Sequence, residues 1–273
     1  MPNISLEAVR LMDDLTALVA RASALVRAMS PDTVARRSKS DNSPVTAADE
    51  ASEATILDGL ARLLPGVPVV SEESADPATS PCLDGTFVIV DPLDGTREFL
   101  AGSDEFAVLL GIVSEHAPVA GIVAAPKRGV VWRGVVGHGA ERLRLLDDSA
   151  DRPQPIRTRS QPSSAQVALV SRSHLDAATD DFLADLGPVT RHSCGSAIKF
   201  GLIADGSADV YPRLSPTCEW DVAAGHAVVT AAGGAVLTRQ GTPIRFGNTA
   251  KNFRIPDFIA WGNAAGRGST AQP

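Results

Sequence analysis

Apolar positions between residues 6 and 29 recur at helical spacing, at Leu6, Val9, Met12, Leu15, Val19, Ala22, Leu25 and Val26. That spacing predicts an amphipathic helix, closed by Ser30-Pro31-Asp32. Residues 36–44 are polar and read as a loop. Thr46-Ala47-Ala48-Asp49 has the form of a capping box, so a second helix is expected from there to Leu64, where Pro65-Gly66 stops it. Two short apolar runs, 67–70 and 87–90, lie between turn residues and read as buried strands. Segments 106–113, 119–125 and 129–136 are β-rich and broken by short turns, with 141–145 beyond Gly137-His138-Gly139. They predict an antiparallel meander.

The rhythm changes after the polar, proline-bearing stretch 147–164, the best candidate boundary. Strands at 167–170, 189–192 and 208–211 alternate with helices near 177–186, 195–204 and 219–232, and 258–261 is a late strand. The first half, 1–155, reads as α+β and the second, 156–273, as α/β.

Composition narrows the class. A chain of 273 residues holds one large domain or two ordinary ones, and 44% apolar with 21% charged residues excludes disorder, coiled coil and collagen. No apolar run approaches the ~18–20 residues of a membrane span, and the first five residues show no signal-peptide pattern. Cys82, Cys194 and Cys218 form no CxxC pair, which suits a reducing cytoplasm. Aromatics at 4% argue against a stacking platform for single-stranded nucleic acid. The net charge of −7 is unevenly spread: between Asp41 and Glu105, 14 carboxylates face only Arg62 and Arg97, a local −12. Such crowding fits acidic surface faces or a polycarboxylate metal site.

The richest stretch is Val88-Ile89-Val90-Asp91-Pro92-Leu93-Asp94-Gly95-Thr96. An apolar strand runs into a carboxylate, a proline fixes the turn, and a second carboxylate stands three residues on. Two carboxylates so close repel one another, and a divalent cation relieves the repulsion. The Leu93 carbonyl offers another hard oxygen. Pro and Asp-Gly also make ordinary turns, but strand, Pro, paired Asp and Thr together point to metal.

The hexapeptide Asp91–Thr96 resembles the signature of the inositol monophosphatase-like, lithium-sensitive Mg²⁺ phosphatases. Three other segments match in order: Pro44-Val45-Thr46-Ala47-Ala48-Asp49, Ser71-Glu72-Glu73-Ser74, and Trp220-Asp221 followed by Gly233-Gly234. The resemblance implies a layered αβαβα sandwich like that of inositol monophosphatase and fructose-1,6-bisphosphatase. It implies two or three Mg²⁺ ions held by Glu72, Asp91, Asp94, Asp221 and the Leu93 carbonyl. Asp49 and Thr96 would orient and deprotonate the attacking water, with Glu72 also counted as catalytic. Of Glu72 and Glu73, adjacent on a strand, one is expected to face away. The aspartyl-phosphate phosphatases use Asp-x-Asp-x-Thr instead, and here the aspartates are three apart, which disfavours a covalent aspartate.

Further segments resemble the CysQ-type, 3′(2′),5′-bisphosphate nucleotidase branch. These are Arg97-Glu98-Phe99, Ser171-Arg172-Ser173-His174, the stretch from Cys194-Gly195-Ser196 to Lys199, Tyr211-Pro212-Arg213, and Trp220-Asp221 with His226. The implied reaction is hydrolysis of 3′-phosphoadenosine 5′-phosphate to AMP and phosphate, in sulfur assimilation or nucleotide recycling. Leu93, Asp94, Gly95, Thr96 and Asp221 would meet the scissile phosphate. Ser171, His174, Gly195 and Lys199 would hold the other, with free N–H groups at a helix start and a lysine one turn in. Arg172 stands between a nucleotide contact and a solvated charge, and Cys218 has no assigned role. Alternatives are an inositol-1-phosphate or sugar phosphatase of the same fold, or a nucleotide-sensing protein with an inactive site. The expected partner is a small nucleotide bisphosphate, not nucleic acid or an integral membrane contact. The resemblance also implies a cytoplasmic protein, peripheral at the inner membrane in some bacterial members, and allows a homodimer.

Overall fold

The computed structural model describes residues 4–38, 44–78, 80, 83–160, 165–172 and 177–263. The first half runs α1 (Ile4–Ala28), β1 (Arg36–Ser38), β2 (Pro44–Thr46), α2 (Ala47–Leu63), β3 (Val69–Ser71), β4 (Thr86–Asp94) and α3 (Thr96–Leu100). It continues through β5 (Ala107–Ser114), β6 (Ala117–Ala125), β7 (Val130–Val135), β8 (Gly139–Leu145) and β9 (Ala150–Ile156). The second half holds β10 (Gln166–Ser171), α4 (Ala177–Asp185), β11 (Val189–Cys194), α5 (Ile198–Ala204), β12 (Val210–Arg213) and β13 (Thr217–Cys218). After these come α6 (Ala223–Ala231), β14 (Ala235–Thr238), β15 (Arg254–Ile255) and β16 (Phe258–Trp261).

Period-two alternation in β4 sets the layering. Val88 and Val90 face one way, with Leu15, Leu18, Ile56 and Leu60 of α1 and α2. Phe87 and Ile89 face the other, with Ile198, Phe200 and Val228 of α5 and α6. Both faces are buried, so the strand reads as a continuous apolar run. The seven-stranded sheet, ordered β3-β4-β5-β6-β7-β8-β9, is antiparallel except for the β3–β4 pair. The helices α5 and α6 then meet a five-stranded sheet, β11-β10-β12-β16-β14, whose far face packs Leu183 and Phe182 of α4. The result is the αβαβα sandwich. Close approach holds the middle helix layer down: a Cβ on Gly121 would lie 2.1 Å from the Ala224 carbonyl oxygen.

The meander and both long helices form where the periodicity places them, and Thr46 caps α2 with Asp49 completing the box. Four local readings change. The strand expected at 87–90 runs on to Asp94, because a bulge between Asp91 and Asp94 absorbs Pro92 while the ladder resumes at Ala107. The polar stretch 147–164 contains β9, an edge strand that tolerates Pro153 and Pro155 because only one side is paired. The loop expected at 36–44 carries β1, paired with β2 through Arg37 and Val45. Both helices expected at 195–204 and 219–232 begin later, at Ile198 and Ala223, leaving turns ahead of them. No helix among the described residues is long and apolar enough to cross a membrane.

Candidate active site

The bulged end of β4, the end of β3 and the turns before α5 and α6 converge on one cavity of about 320 Å³. Glu72, Asp91 and Asp221 each offer a carboxylate oxygen within 4.8 Å of the others. Asp91 is buried; its Oδ1 accepts from the Leu93 N–H at 3.0 Å, while Oδ2 has no hydrogen-bond partner. Burial and the charges of Glu72, Asp94 and Asp221 hold its carboxyl well above the ordinary carboxylate range. Asp94 lines the same cavity; burial and Asp221 push it up to about 7. Its Oδ2 accepts from the Ala197 N–H. Asp221 is fixed by Thr217 Oγ1 and the Cys218 N–H, the latter at 2.8 Å. Crowded carboxylates, of which Asp91 is buried and carries an orphaned oxygen, fit a divalent cation with hard oxygen ligands.

Beside them, Thr96 Oγ1 lies 3.1 Å from Asp49 Oδ1 and 3.2 Å from the Leu93 carbonyl oxygen, and donates its one proton between them. Asp49 is buried on α2, where Oδ2 accepts from the Thr46 N–H and hydroxyl at 2.8 and 2.7 Å. Burial raises its pKa against those bonds. Thr96 lines the cavity and keeps its oxygen lone pairs open to it. Ser52 Oγ donates to the Pro92 carbonyl at 2.7 Å, tying α2 to the bulge.

A second part of the lining, adjoining Asp94, holds Ser171, Ser196, Lys199, Tyr211 and Arg213. Lys199 is buried and its Nζ donates to the carbonyls of Cys194 at 3.0 Å and Ser196 at 2.5 Å. It sits 5.0 Å from the Tyr211 ring centre, and burial lowers its pKa against the attraction of Cys194 and Asp94. Arg213 reaches Ser171 Oγ at 3.4 Å and the Pro216 carbonyl at 3.3 Å, with Nε buried and unpaired.

Two expectations need correction. The Gly195 N–H is not free for an anion: it donates to Glu105 Oε2 at 2.7 Å, since the first half inserts that carboxylate into the turn. Lys199 likewise is turned onto backbone carbonyls rather than left as a loose point charge. Glu72 lines the cavity and Glu73 does not. His174 lies outside the described residues, as does Cys82. Cys218 lines the cavity with its thiol pushed up to about 12 by burial and Asp221, which keeps it protonated and un-nucleophilic. Trp220 lies tilted against Phe253, with ring centres 5.6 Å apart, and also lines the cavity. Ser196 and Arg213 lie in segments the resemblance covers, whereas Thr217 and Arg254 line the cavity without a sequence signal that names them. Thr217, four residues before Asp221, was the more readable of the two.

A match to the inositol monophosphatase family spans residues 9–265. The chain belongs to that family. Among its relatives is the 3′(2′),5′-bisphosphate nucleotidase CysQ of Escherichia coli (strain K12), 40% identical over 221 residues, covering 81% of this chain and 86% of that one. The CysQ of Aggregatibacter actinomycetemcomitans is 31% identical over 259 residues and covers 91% of each. Among solved structures, CysQ from Bacteroides thetaiotaomicron, described as a bacterial member of the inositol monophosphatase family, matches with a TM-score of 0.78 and 32% identity, covering 95% of this chain and 98% of that one. For this family member, the layered arrangement of sheets and helices belongs to a shared fold.

Proposed function

We propose that this member of the family is a Mg²⁺-dependent 3′(2′),5′-bisphosphate nucleotidase that converts 3′-phosphoadenosine 5′-phosphate to AMP and phosphate. The observation that carries the reading is one cavity lined both by the clustered carboxylates Glu72, Asp91 and Asp221 and by Ser171, Lys199 and Arg213. A substrate with two phosphates matches that polarity: one phosphate goes to the metal wall and one to the cationic wall. The CysQ relatives support the same assignment.

In this reading Glu72, Asp91, Asp94 and Asp221, with the Leu93 carbonyl, hold two or three Mg²⁺ ions. The chemistry such ions would supply there is charge neutralisation at the phosphoryl and leaving oxygens and a lowered pKa for the attacking water. The chain supplies the rest. Asp49 takes the Thr96 hydroxyl proton as hydrogen-bond acceptor, which leaves Thr96 Oγ1 to accept from the attacking water and aim its lone pair. Asp49, raised by burial, is a stronger base than an exposed aspartate. Leu93, Asp94, Gly95 and Thr96 border the scissile phosphate, while Ser171 and Arg213 offer donors to the other. The half 1–155 thus brings the water-activating pair and most ligands, and the half 156–273 brings Asp221 and the second anion wall. The enzyme works in the cytoplasm.

The test is phosphate release with saturating Mg²⁺ from 3′-phosphoadenosine 5′-phosphate, inositol-1-phosphate and fructose-1,6-bisphosphate side by side. The nucleotide is expected to have the highest kcat/KM, by about ten-fold or more. Preference for inositol phosphate, or tight nucleotide binding without release, overturns the assignment. Isothermal titration with Mg²⁺ counts the ions.

A further inference from the structure

Glu105 lies in the loop between α3 and β5 and does not line the cavity, yet it holds the first N–H of the turn whose Ser196, Ala197 and Lys199 do. Its carboxylate is buried, with 7% of the residue exposed. Oε2 accepts from the Gly195 N–H at 2.7 Å and from Arg172 Nε at 2.8 Å. Oε1 accepts from Arg172 Nη2 at 3.0 Å and Arg128 Nη2 at 3.2 Å. Arg172 follows β10, Arg128 sits in the β6–β7 turn, and Gly195 opens the turn before α5. One side chain of the first half therefore gathers donors from three segments, two of them in the second half. The Arg172 pair holds the carboxyl below its ordinary range, so it stays ionised at neutral pH.

The 194–197 turn is clamped at every backbone group that faces these partners. Gly195 N–H is taken by Glu105, Ala197 N–H by Asp94, and the carbonyls of Cys194 and Ser196 by Lys199. Ser196, between them, has φ +49°, a left-handed conformation that a serine holds only when its surroundings impose it. A Cβ on Gly195 would lie 2.9 Å from Glu98 Cγ and 3.0 Å from Glu105 Cβ, so the first half leans directly on this turn. Ser196, Ala197 and Lys199 all line the cavity.

We propose that Glu105 is a positioning residue for substrate binding: by clamping the 194–197 turn and Arg172 from outside the cavity, it sets the wall that receives the second phosphate. This rests on the proposed nucleotidase activity. Glu105→Gln keeps the shape but removes the charge and turns an N–H₂ donor toward donors. It is expected to raise KM for 3′-phosphoadenosine 5′-phosphate by about ten-fold or more, with a smaller fall in kcat. KM for 3′-AMP, which lacks the second phosphate, rises by less than about three-fold. Glu105→Asp recovers part of the loss. A residue that only stabilises the fold would lower Tm and the active fraction with KM unchanged, and that result overturns the proposal, as does an equal rise in KM for both substrates. Should Glu105→Gln not fold, Arg172→Gln at the exposed end of the same ion pair gives a smaller KM rise in the same direction; an unchanged KM overturns the proposal. A measurement without substrate separates this from the activity itself. Amide exchange across 193–198 is expected to speed by about ten-fold in Glu105→Gln relative to wild type, and no acceleration there sinks the clamp even if the nucleotide is hydrolysed.

Discussion

The two walls of the cavity solve opposite electrostatic problems. At the first, Glu72, Asp91 and Asp221 crowd together and Asp91 Oδ2 is left without a partner. At the second, the 194–197 turn has its N–H and carbonyl groups engaged by Glu105, Asp94 and Lys199 before any ligand arrives. An unpaired buried acceptor is costly unless something fills the site, whereas a satisfied turn costs nothing further to hold its shape. The first wall is thus completed by what it binds, and the second is preorganised. Asp94 touches both, lying among the acids while accepting from Ala197.

The comparison is broken most severely at the first wall. Asp91→Asn is expected to cut kcat/KM by about 10⁴-fold, the scale of several kcal/mol of phosphoryl-charge stabilisation. The same change removes a buried charge from a repelling cluster, so without Mg²⁺ the variant should melt higher than wild type. A lower melting temperature for the metal-free variant would contradict the repulsion. Next comes the water-orienting pair: Thr96→Ala and Asp49→Asn should each lower kcat by about 10²–10³-fold while Mg²⁺ affinity, measured by titration, is kept.

Mg²⁺ itself gives the third contrast. At a hundred times its Kd it should stabilise the wild-type protein by about 2.7 kcal/mol in chemical denaturation, and chelation should abolish both that gain and turnover. Lys199→Met probes the second wall, where two carbonyls lose their donor. Stability should fall by about 1–3 kcal/mol whether or not Mg²⁺ is present. An effect confined to acid pH lies outside both walls. His226 packs edge-on to Phe246, 5.7 Å between ring centres, and burial pulls its pKa down to about 4. The unfolded chain, near 6.5, then binds the proton first, so stability is full above pH 6.5 and declines as pH falls toward 4. Relative to His226→Gln, wild type should lose about 2 kcal/mol between pH 7 and pH 5 in denaturant titrations.

Local signals were legible where adjacent residues carry the physics. The α1 periodicity, the Thr46–Asp49 capping box and the meander all depend on spacings of a few residues. So does the motif from Asp91 to Thr96, whose proline and paired acids lie within a single bulge. The edge strand β9 was missed because its prolines hide the alternation that pairing with β8 nevertheless tolerates. Gly195 was misread for a different reason: a helix start offers free N–H groups only if no distant carboxylate reaches them, and Glu105 is 90 residues away in sequence.

The acidic segment from Asp41 to Glu105, the proline-fixed carboxylate pair and the order of the four motifs were determined by the sequence alone, because charge and turn chemistry are properties of neighbours. The resemblance already names Glu72 and Asp221 as ligands, but only the tertiary structure brings Asp221, far along the chain, within 4.8 Å of the other acids and leaves Glu73 out of the cavity lining. It also decided that Lys199 and Glu105 spend their charges on one turn. Burial and long-range contact set those outcomes: a charge is worth most where water is excluded, and exclusion is made by segments that meet only when both sheets have closed on the helices between them.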